Sequence, residues 1–386
     1  MNVKIVFGLL LLAVGTAFGQ SAGSRGSDPR TLGERTVLTS RILNQERPID
    51  IYHPGEPYEG VPLHVLYVLD AERNFLFAAG MIDFLVNRAI CPPILVVGIP
   101  NLRGRREVDL IPGNEAETFL KFLTQELIPY IDSSYNTAPF RIISGHSSGA
   151  IFSTFALLRA PEEFRAAIAS SAVFKQGDTN LYDTFWDQFS KEKVWNHFYF
   201  HSVGTLETPT FFIQQNDSLN TFLGSQAPDG FSWQYHKIED GDHNFVALPS
   251  LQTGLLELYK EWRIRLSYQI PFDVAKLRSW PERMAKQFGY QMRIPLTILI
   301  QRAMMLYFDD RFDESLPYFQ LAVEQYPDHP DSHFWLARNY ESLGDIEEAI
   351  TSVARSVELA RNNHQDSSPF EIYMQKLKAR DGNKKP

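Results

Sequence analysis

From Arg35 to His53, apolar and polar residues alternate loosely and stop at Pro54-Gly55, a pattern that predicts an antiparallel hairpin at a sheet edge. Val65 to Leu69 and Pro93 to Ile99 are almost unbroken apolar runs, as expected of strands covered on both faces. Phe75 to Val86 and Ala116 to Tyr135 instead carry their apolar residues at helical spacing. The alternation continues with a strand at Arg141 to Ser144, a helix from Ile151 to Arg159, strands at Ala166 to Phe174, Phe198 to Val203 and Trp233 to Ile238, and a helix from Pro249 to about Trp262. Lys175 to Trp195 is rich in aromatic and polar residues without a clean period, and is expected to form a cap over the active site. Strand and helix in turn predict an α/β fold, a doubly wound and mostly parallel sheet spanning residues 35–262.

Beyond Trp262 the pattern changes. Residues 263–294 hold helical pieces interrupted by Pro271, Pro281 and Gly289, and read as a helical connector. From residue 295 to 363 the chain is wholly helical and repeats at an offset of 34. Ala303 pairs with Ala337, Phe312 with Ile346, Glu314 with Glu348, Leu316 with Ile350 and Val323 with Val357. This resembles the tetratricopeptide repeat, and Trp335, Leu336, Tyr340, Leu343, Gly344 and Ala349 lie close to that family's consensus. The first copy departs from it at Arg302 and Asp310; an ordinary helical bundle with accidental periodicity is the competing interpretation. Two copies make a short concave surface suited to a protein partner, with 364–386 as a C-terminal tail.

At 386 residues the chain exceeds one ordinary domain, and its 44% hydrophobic content suffices for a large core. A formal net charge of −9, with no basic run beyond Arg103–Arg106, excludes a nucleic-acid partner. The lone Cys91 excludes an intrachain disulfide framework and a cysteine zinc site, and is expected to be a buried structural thiol. No metal and no cofactor are expected. Lys4, the apolar stretch Ile5 to Val14 and the small residues of Ala17-Phe18-Gly19 read as a signal peptide over 1–19, followed by a flexible lead-in over 20–34. The expected location is therefore secreted or periplasmic, with a retained N-terminal anchor as the alternative; the apolar stretch is too short to span a bilayer well.

The candidate chemistry centres on Gly145-His146-Ser147-Ser148-Gly149, a G-x-S-x-G pattern between a predicted strand and a predicted helix. That is the context of a nucleophile elbow, where a serine at a sharp turn needs small neighbours. A serine hydroxyl requires an imidazole to take its proton and a carboxylate to orient that imidazole. His243, in the polar turn after the last predicted strand, is placed for the first role. His146 sits inside the elbow, His201 within a strand, and His329, His333 and His364 in the helical tail. Glu207, just past the strand ending at Val203, is the favoured acid over Asp217 and Asp242. The amide of Ser148 is one candidate oxyanion donor, and that of Ala71, in the turn after Leu69, is the other.

Taken together, Leu69-Asp70-Ala71-Glu72-Arg73-Asn74-Phe75, Val97-Gly98-Ile99-Pro100, Leu127-Ile128-Pro129-Tyr130-Ile131, Gly145-His146-Ser147-Ser148-Gly149 and Gly241-Asp242-His243 resemble the putative-esterase family of α/β-hydrolases, which includes esterase D and the enterochelin (siderophore) esterases. The resemblance covers about Arg35 to Trp262. It implies Ser147 as nucleophile, His243 as general base and a small-molecule carboxylic ester, of siderophore type or another, as substrate. The chain departs from the pattern at Ala71, Ser148 and Ala150. By the same resemblance Arg105 and Arg106 lie near the cleft and could hold an anionic substrate; a solvated basic loop is the plain alternative. Acyl transfer in place of hydrolysis, and a decayed site on a protein that binds a partner through its repeats, stay open at this level.

Overall fold

The computed structural model describes residues 32–55, 62–264 and 273–382. The signal-peptide and lead-in expectations fall, but for the last residues of the lead-in, outside the described residues. From Gly33 onward the described residues belong to one compact unit.

The chain first forms a hairpin, β1 (Glu34–Ser40) and β2 (Gln45–Tyr52). There follow β3 (Leu63–Leu69), α1 (Ala71–Asn87), β4 (Ile94–Ile99), the short α2 (Arg106–Leu110) and α3 (Asn114–Phe122). A π-helical turn, Leu123–Leu127, links α3 to α4 (Ile128–Ser134), so the single helix predicted over Ala116 to Tyr135 is widened in the middle. Pro129, which has no amide hydrogen to donate back along the helix, sits just after that turn. Next come β5 (Thr137–His146), α5 (Ser148–Arg159) and β6 (Ala166–Ser170).

The segment expected to form a cap is built of regular elements. A two-stranded ribbon, β7 (Lys175–Gln176) with β8 (Thr179–Asn180), leads into α6 (Leu181–Lys191). Leu181 and Phe185 are buried, and Phe189 packs on Trp195 and Phe231, so the apolar residues recur every fourth position on one face. Exposed Trp186 on another face obscures that period in the sequence. Then follow β9 (Phe198–Gly204), a π-helical turn Pro209–Ile213, α7 (Gln214–Gln226), β10 (Ser232–Ile238) and α8 (Ala247–Leu258).

Eight strands make one sheet in the order β1-β2-β4-β3-β5-β6-β9-β10. Only the β1–β2 and β2–β4 pairs are antiparallel; from β4 to β10 every pair is parallel. The unbroken apolar runs account for this. All seven residues of β3 and all six of β4 are buried, as strands covered by helices on both faces must be. The sheet is thus the predicted doubly wound, mostly parallel one, and Cys91 is buried as expected of a structural thiol.

The connector contributes α9 (Val274–Arg278) and α10 (Trp280–Phe288). Trp280 is buried and its indole Nε1 donates to the carbonyl of Trp262 at 3.2 Å. Buried His64 of β3 holds the hydroxyls of Tyr259 at Nδ1 (2.8 Å) and Tyr290 at Nε2 (2.7 Å), a tie between sheet and connector. The repeats follow as α11 (Leu296–Tyr307) with α12 (Phe312–Gln325), and α13 (Pro330–Leu343) with α14 (Ile346–Asn362). The tail holds a further helix, α15 (Ser368–Gly382), whose Leu377 is buried with Ala337, Ala349 and Val353. It covers the apolar face that the last repeat cannot bury alone. Among the described residues no helix is long and apolar enough to cross a membrane.

Burial pushes the imidazole of His64 down to about 3, and burial likewise pushes His201 down to about 4. Both stay neutral in the folded chain while the unfolded chain binds protons below about 6.5. Stability is therefore unaffected by these groups above that pH and is lost as pH falls from 6.5 toward their folded values, by about 2 kcal/mol for each at pH 5. Urea unfolding at pH 7.5 and pH 5.0 should show that loss; equal stability at the two pH values would mean that the two rings take protons without unfolding.

Candidate active site

The carboxyl ends of β3, β5, β9 and β10 lie along one edge of the parallel sheet, where crossover connections leave room for a site. β5 ends at His146, and Ser147 follows as the turn into α5. Its φ of 59° and ψ of −121° place a residue with a side chain in a region usually left to glycine, at a cost of order 1–3 kcal/mol. The turn is held by the Ser147 amide on the Ser170 carbonyl at 2.9 Å, and by the Ser147 carbonyl accepting from the amides of Ala150 and Ile151. Glycine is required at 145 because a Cβ there would lie 2.1 Å from the carbonyl oxygen of Gly149.

Ser147 Oγ lies 3.1 Å from Nε2 of His243, and Nδ1 of His243 lies 2.7 Å from Oε2 of Glu207. A carboxylate can only accept, so Nδ1 carries the hydrogen and Nε2 turns its lone pair to the serine. The other carboxylate oxygen of Glu207 accepts from Ser171 Oγ at 2.6 Å and from the Gly204 amide at 2.8 Å. Burial raises the Glu207 carboxyl, but the hydrogen bonds from His243, Ser171 and the Gly204 amide outweigh it and hold the group below the usual carboxylate range. The buried acid is therefore charged and aimed at one imidazole.

Loop geometry explains why Glu207 and not Asp242 meets the ring. Asp242 turns back on its own chain, accepting from the amides of Asn244 and Phe245 at 2.9 and 2.8 Å, and so shapes the turn that presents His243. Gly204 lets the two loops meet, since a Cβ there would lie 2.1 Å from the Gly241 carbonyl oxygen. Asp217 lies on α7 with Tyr235 and Lys237. His146 is neutral, pushed down to about 4 by burial and by the neighbouring His243, whose ring centroid is 4.6 Å away.

Ala71 and Ser148 are the first residues of α1 and α5, so their amides have no acceptor within their own helices. They are joined by a network that sequence reading passed over. Asp70, the residue before α1, has φ of 52° and is fixed by three donors. Arg106 grips both its oxygens at 2.6 and 2.9 Å, and Asn101 Nδ2 donates to Oδ1 at 2.6 Å. Arg106 Nη1 also reaches Ser148 Oγ at 3.1 Å. One guanidinium thus spans the turn that carries Ala71 and the elbow that carries Ser148.

The two arginines expected near the cleft as holders of an anionic substrate both carry ion pairs within the chain. Arg106 is spent on Asp70, Ser148 and Glu107, and Arg105 on Asp109 and Glu115. Asp109 is held in turn by fully buried Arg47 at 3.0 Å, which anchors the whole segment to β2. Ser171 and Asn101 were also absent from the sequence reading. A small polar residue after a strand carries no signal until its partner is known.

The loops bearing Glu207 and His243 also carry exposed apolar side chains. Leu206 is 66% and Phe245 59% exposed, and the Phe212 ring lies 4.7 Å from that of His243.

Comparison with known proteins agrees with this architecture. Residues 40–220 match the family described as Putative esterase, and residues 309–366 match a tetratricopeptide repeat. The uncharacterized protein YjcH of Bacillus subtilis (strain 168) is 22% identical over 233 residues, 56% of this chain and 93% of YjcH. An IroE-like serine hydrolase from Shewanella oneidensis superposes with a TM-score of 0.65 at 22% identity, covering 76% of this chain and 99% of that one. An uncharacterised protein from Capnocytophaga ochracea gives 0.66 at 16% identity, covering 90% and 99%. At such identities the two structures speak for the fold. Residues 40–220, on a sheet of α/β-hydrolase type, are thus similar to the Putative esterase family, and residues 309–366 to the tetratricopeptide repeat.

Proposed function

We propose that this hydrolase is a secreted or periplasmic serine esterase that cleaves a carboxylic ester through an acyl-enzyme. The observation that carries the reading is the hydrogen-bonded line from Ser147 through His243 to Glu207, beginning at a strained serine on the carboxyl edge of the sheet. In this reading His243 Nε2 takes the Ser147 proton as Oγ attacks the ester carbonyl, and Glu207 holds the resulting imidazolium. The amides of Ala71 and Ser148 receive the oxyanion. His243 then returns the proton to the leaving alcohol, and water repeats the sequence on the acyl group. A decayed site would have no reason to keep a backbone cost at Ser147 or a charged, triply bonded acid behind the histidine. Exposed Leu206 and Phe245 beside the acid and base favour an ester with an apolar flank. The repeats, which bring no part of this site, are proposed to dock a protein partner.

The test is to treat the pure protein with a fluorophosphonate and to assay nitrophenyl esters of rising acyl length. Labelling at Ser147 and cleavage that improves beyond the acetyl ester are expected; a protein that neither labels nor cleaves any member would overturn the reading.

Arg106 acts at one remove, by holding the two amides in register. Arg106→Lys keeps the charge but cannot grip both oxygens of Asp70 while reaching Ser148. The expected result is a fall in kcat of about 10–100-fold, somewhat below the loss of a whole oxyanion donor, with KM little changed. Steady-state kinetics on one ester separates the two constants; a rise in KM alone would place Arg106 against the substrate instead.

A further inference from the structure

A cavity of about 420 Å³ opens at the opposite edge of the sheet, beside Phe198 and Ser232 at the amino ends of β9 and β10, and is closed on its far side by α10. It lies a full strand length away from Ser147. Arg165, Lys260, Arg283 and Lys286 line it, against the acids Glu257 and Glu261, so it is a cationic site on an acidic chain. Lys260 already meets Glu257 at 3.4 Å.

Arg165 differs from the other three. It is half buried at the entrance to β6, and its backbone is fixed in the sheet through Arg141 and Phe198. Its Nε is shut off from solvent with no hydrogen-bond acceptor, and among the described residues no carboxylate pairs with its guanidinium. Burial lowers its pKa, and no carboxylate among the described residues opposes the shift. Nη2 lies near Gly289 at the end of α10, so the group bridges sheet and connector. His197, buried and lining the same cavity, donates Nε2–H to the Pro161 carbonyl at 2.8 Å. Its Nδ1 therefore carries a lone pair that is closed to solvent and has no partner among the described residues.

We propose that this cavity binds a small oxyanion, a phosphate or a carboxylate, with its charged oxygens on the guanidinium of Arg165 and the neighbouring cations Lys260, Arg283 and Lys286. Such an anion supplies the counter-charge that Arg165 lacks among the described residues. It also joins the hydrolase sheet to α10, so binding steadies the connector on which the repeats are mounted. The volume suits a metabolite-sized ligand.

The test is thermal unfolding of the full chain with inorganic phosphate or with citrate, each against sodium chloride at equal ionic strength. At ten times the dissociation constant either anion should raise Tm by about 3 °C, and Arg165→Met should abolish the rise. At equal concentration of the two, the larger shift marks the tighter-binding anion and so tells phosphate from carboxylate. Should Arg165→Met fold poorly, calorimetric titration of the wild type and of Lys286→Gln, an exposed change on α10, serves instead, with binding expected to weaken about two- to fivefold in the variant. No shift beyond chloride for both anions, an equal rise in Arg165→Met, or titration without saturable binding would each overturn the proposal.

Discussion

Ser147→Ala should leave the protein folded and remove essentially all ester cleavage, with a loss in kcat of about 10⁴–10⁶-fold, as for other proteins that act through a serine and histidine as a unit. The elbow hydroxyl contributes little to packing, and alanine leaves the neighbours of the turn unchanged, though it inherits the same strained φ. Fluorophosphonate labelling should vanish with activity, while circular dichroism and Tm stay close to wild type. Residual cleavage above the uncatalysed rate is expected from the amides of Ala71 and Ser148 alone. Full activity in the variant would move the chemistry off this serine and sink the esterase reading.

Glu207→Gln should reduce kcat by about 10³–10⁴-fold, because glutamine can offer His243 a nitrogen or an oxygen but cannot hold an imidazolium by charge. The substitution also disturbs the bonds from Ser171 and the Gly204 amide, so some loss of stability accompanies it. Asp242→Asn is the matched control. Its side chain accepts amides of its own turn, which an asparagine oxygen does equally well, and it should fall less than about tenfold. Kinetics of the two variants on one nitrophenyl ester decides between the acids. A silent Glu207→Gln beside a severe Asp242→Asn would overturn the assignment that the geometry supports.

Local rules made the elbow and most of the sheet legible in the sequence. The strand at Val65 to Leu69 shows itself because a strand covered on both faces must be apolar throughout, and Gly145 and Gly149 stand out because the turn at Ser147 admits nothing larger. The 34-residue offset is equally local, since each helical pair must bury the same face against the next. His243 and Glu207 stand out as candidates because an α/β-hydrolase places its acid and then its histidine after strands that follow the serine.

Tertiary structure decided what depends on residues far apart in sequence. Asp70 and Arg106 are 36 residues apart, and only folding reveals that the arginine is consumed by its own chain. The same holds for Ser171 behind Glu207 and for Asp242, which resembles a catalytic acid until its carboxylate is seen closing its own turn. The helix Leu181–Lys191 escaped reading because aromatic residues lie on both its buried and its exposed faces, and periodicity cannot tell which of them the core takes. Composition and spacing fix what each segment can bury. Which charged groups pair, and which are left, like Arg165, without a carboxylate partner among the described residues, is settled only when the sheet and the connector close around them.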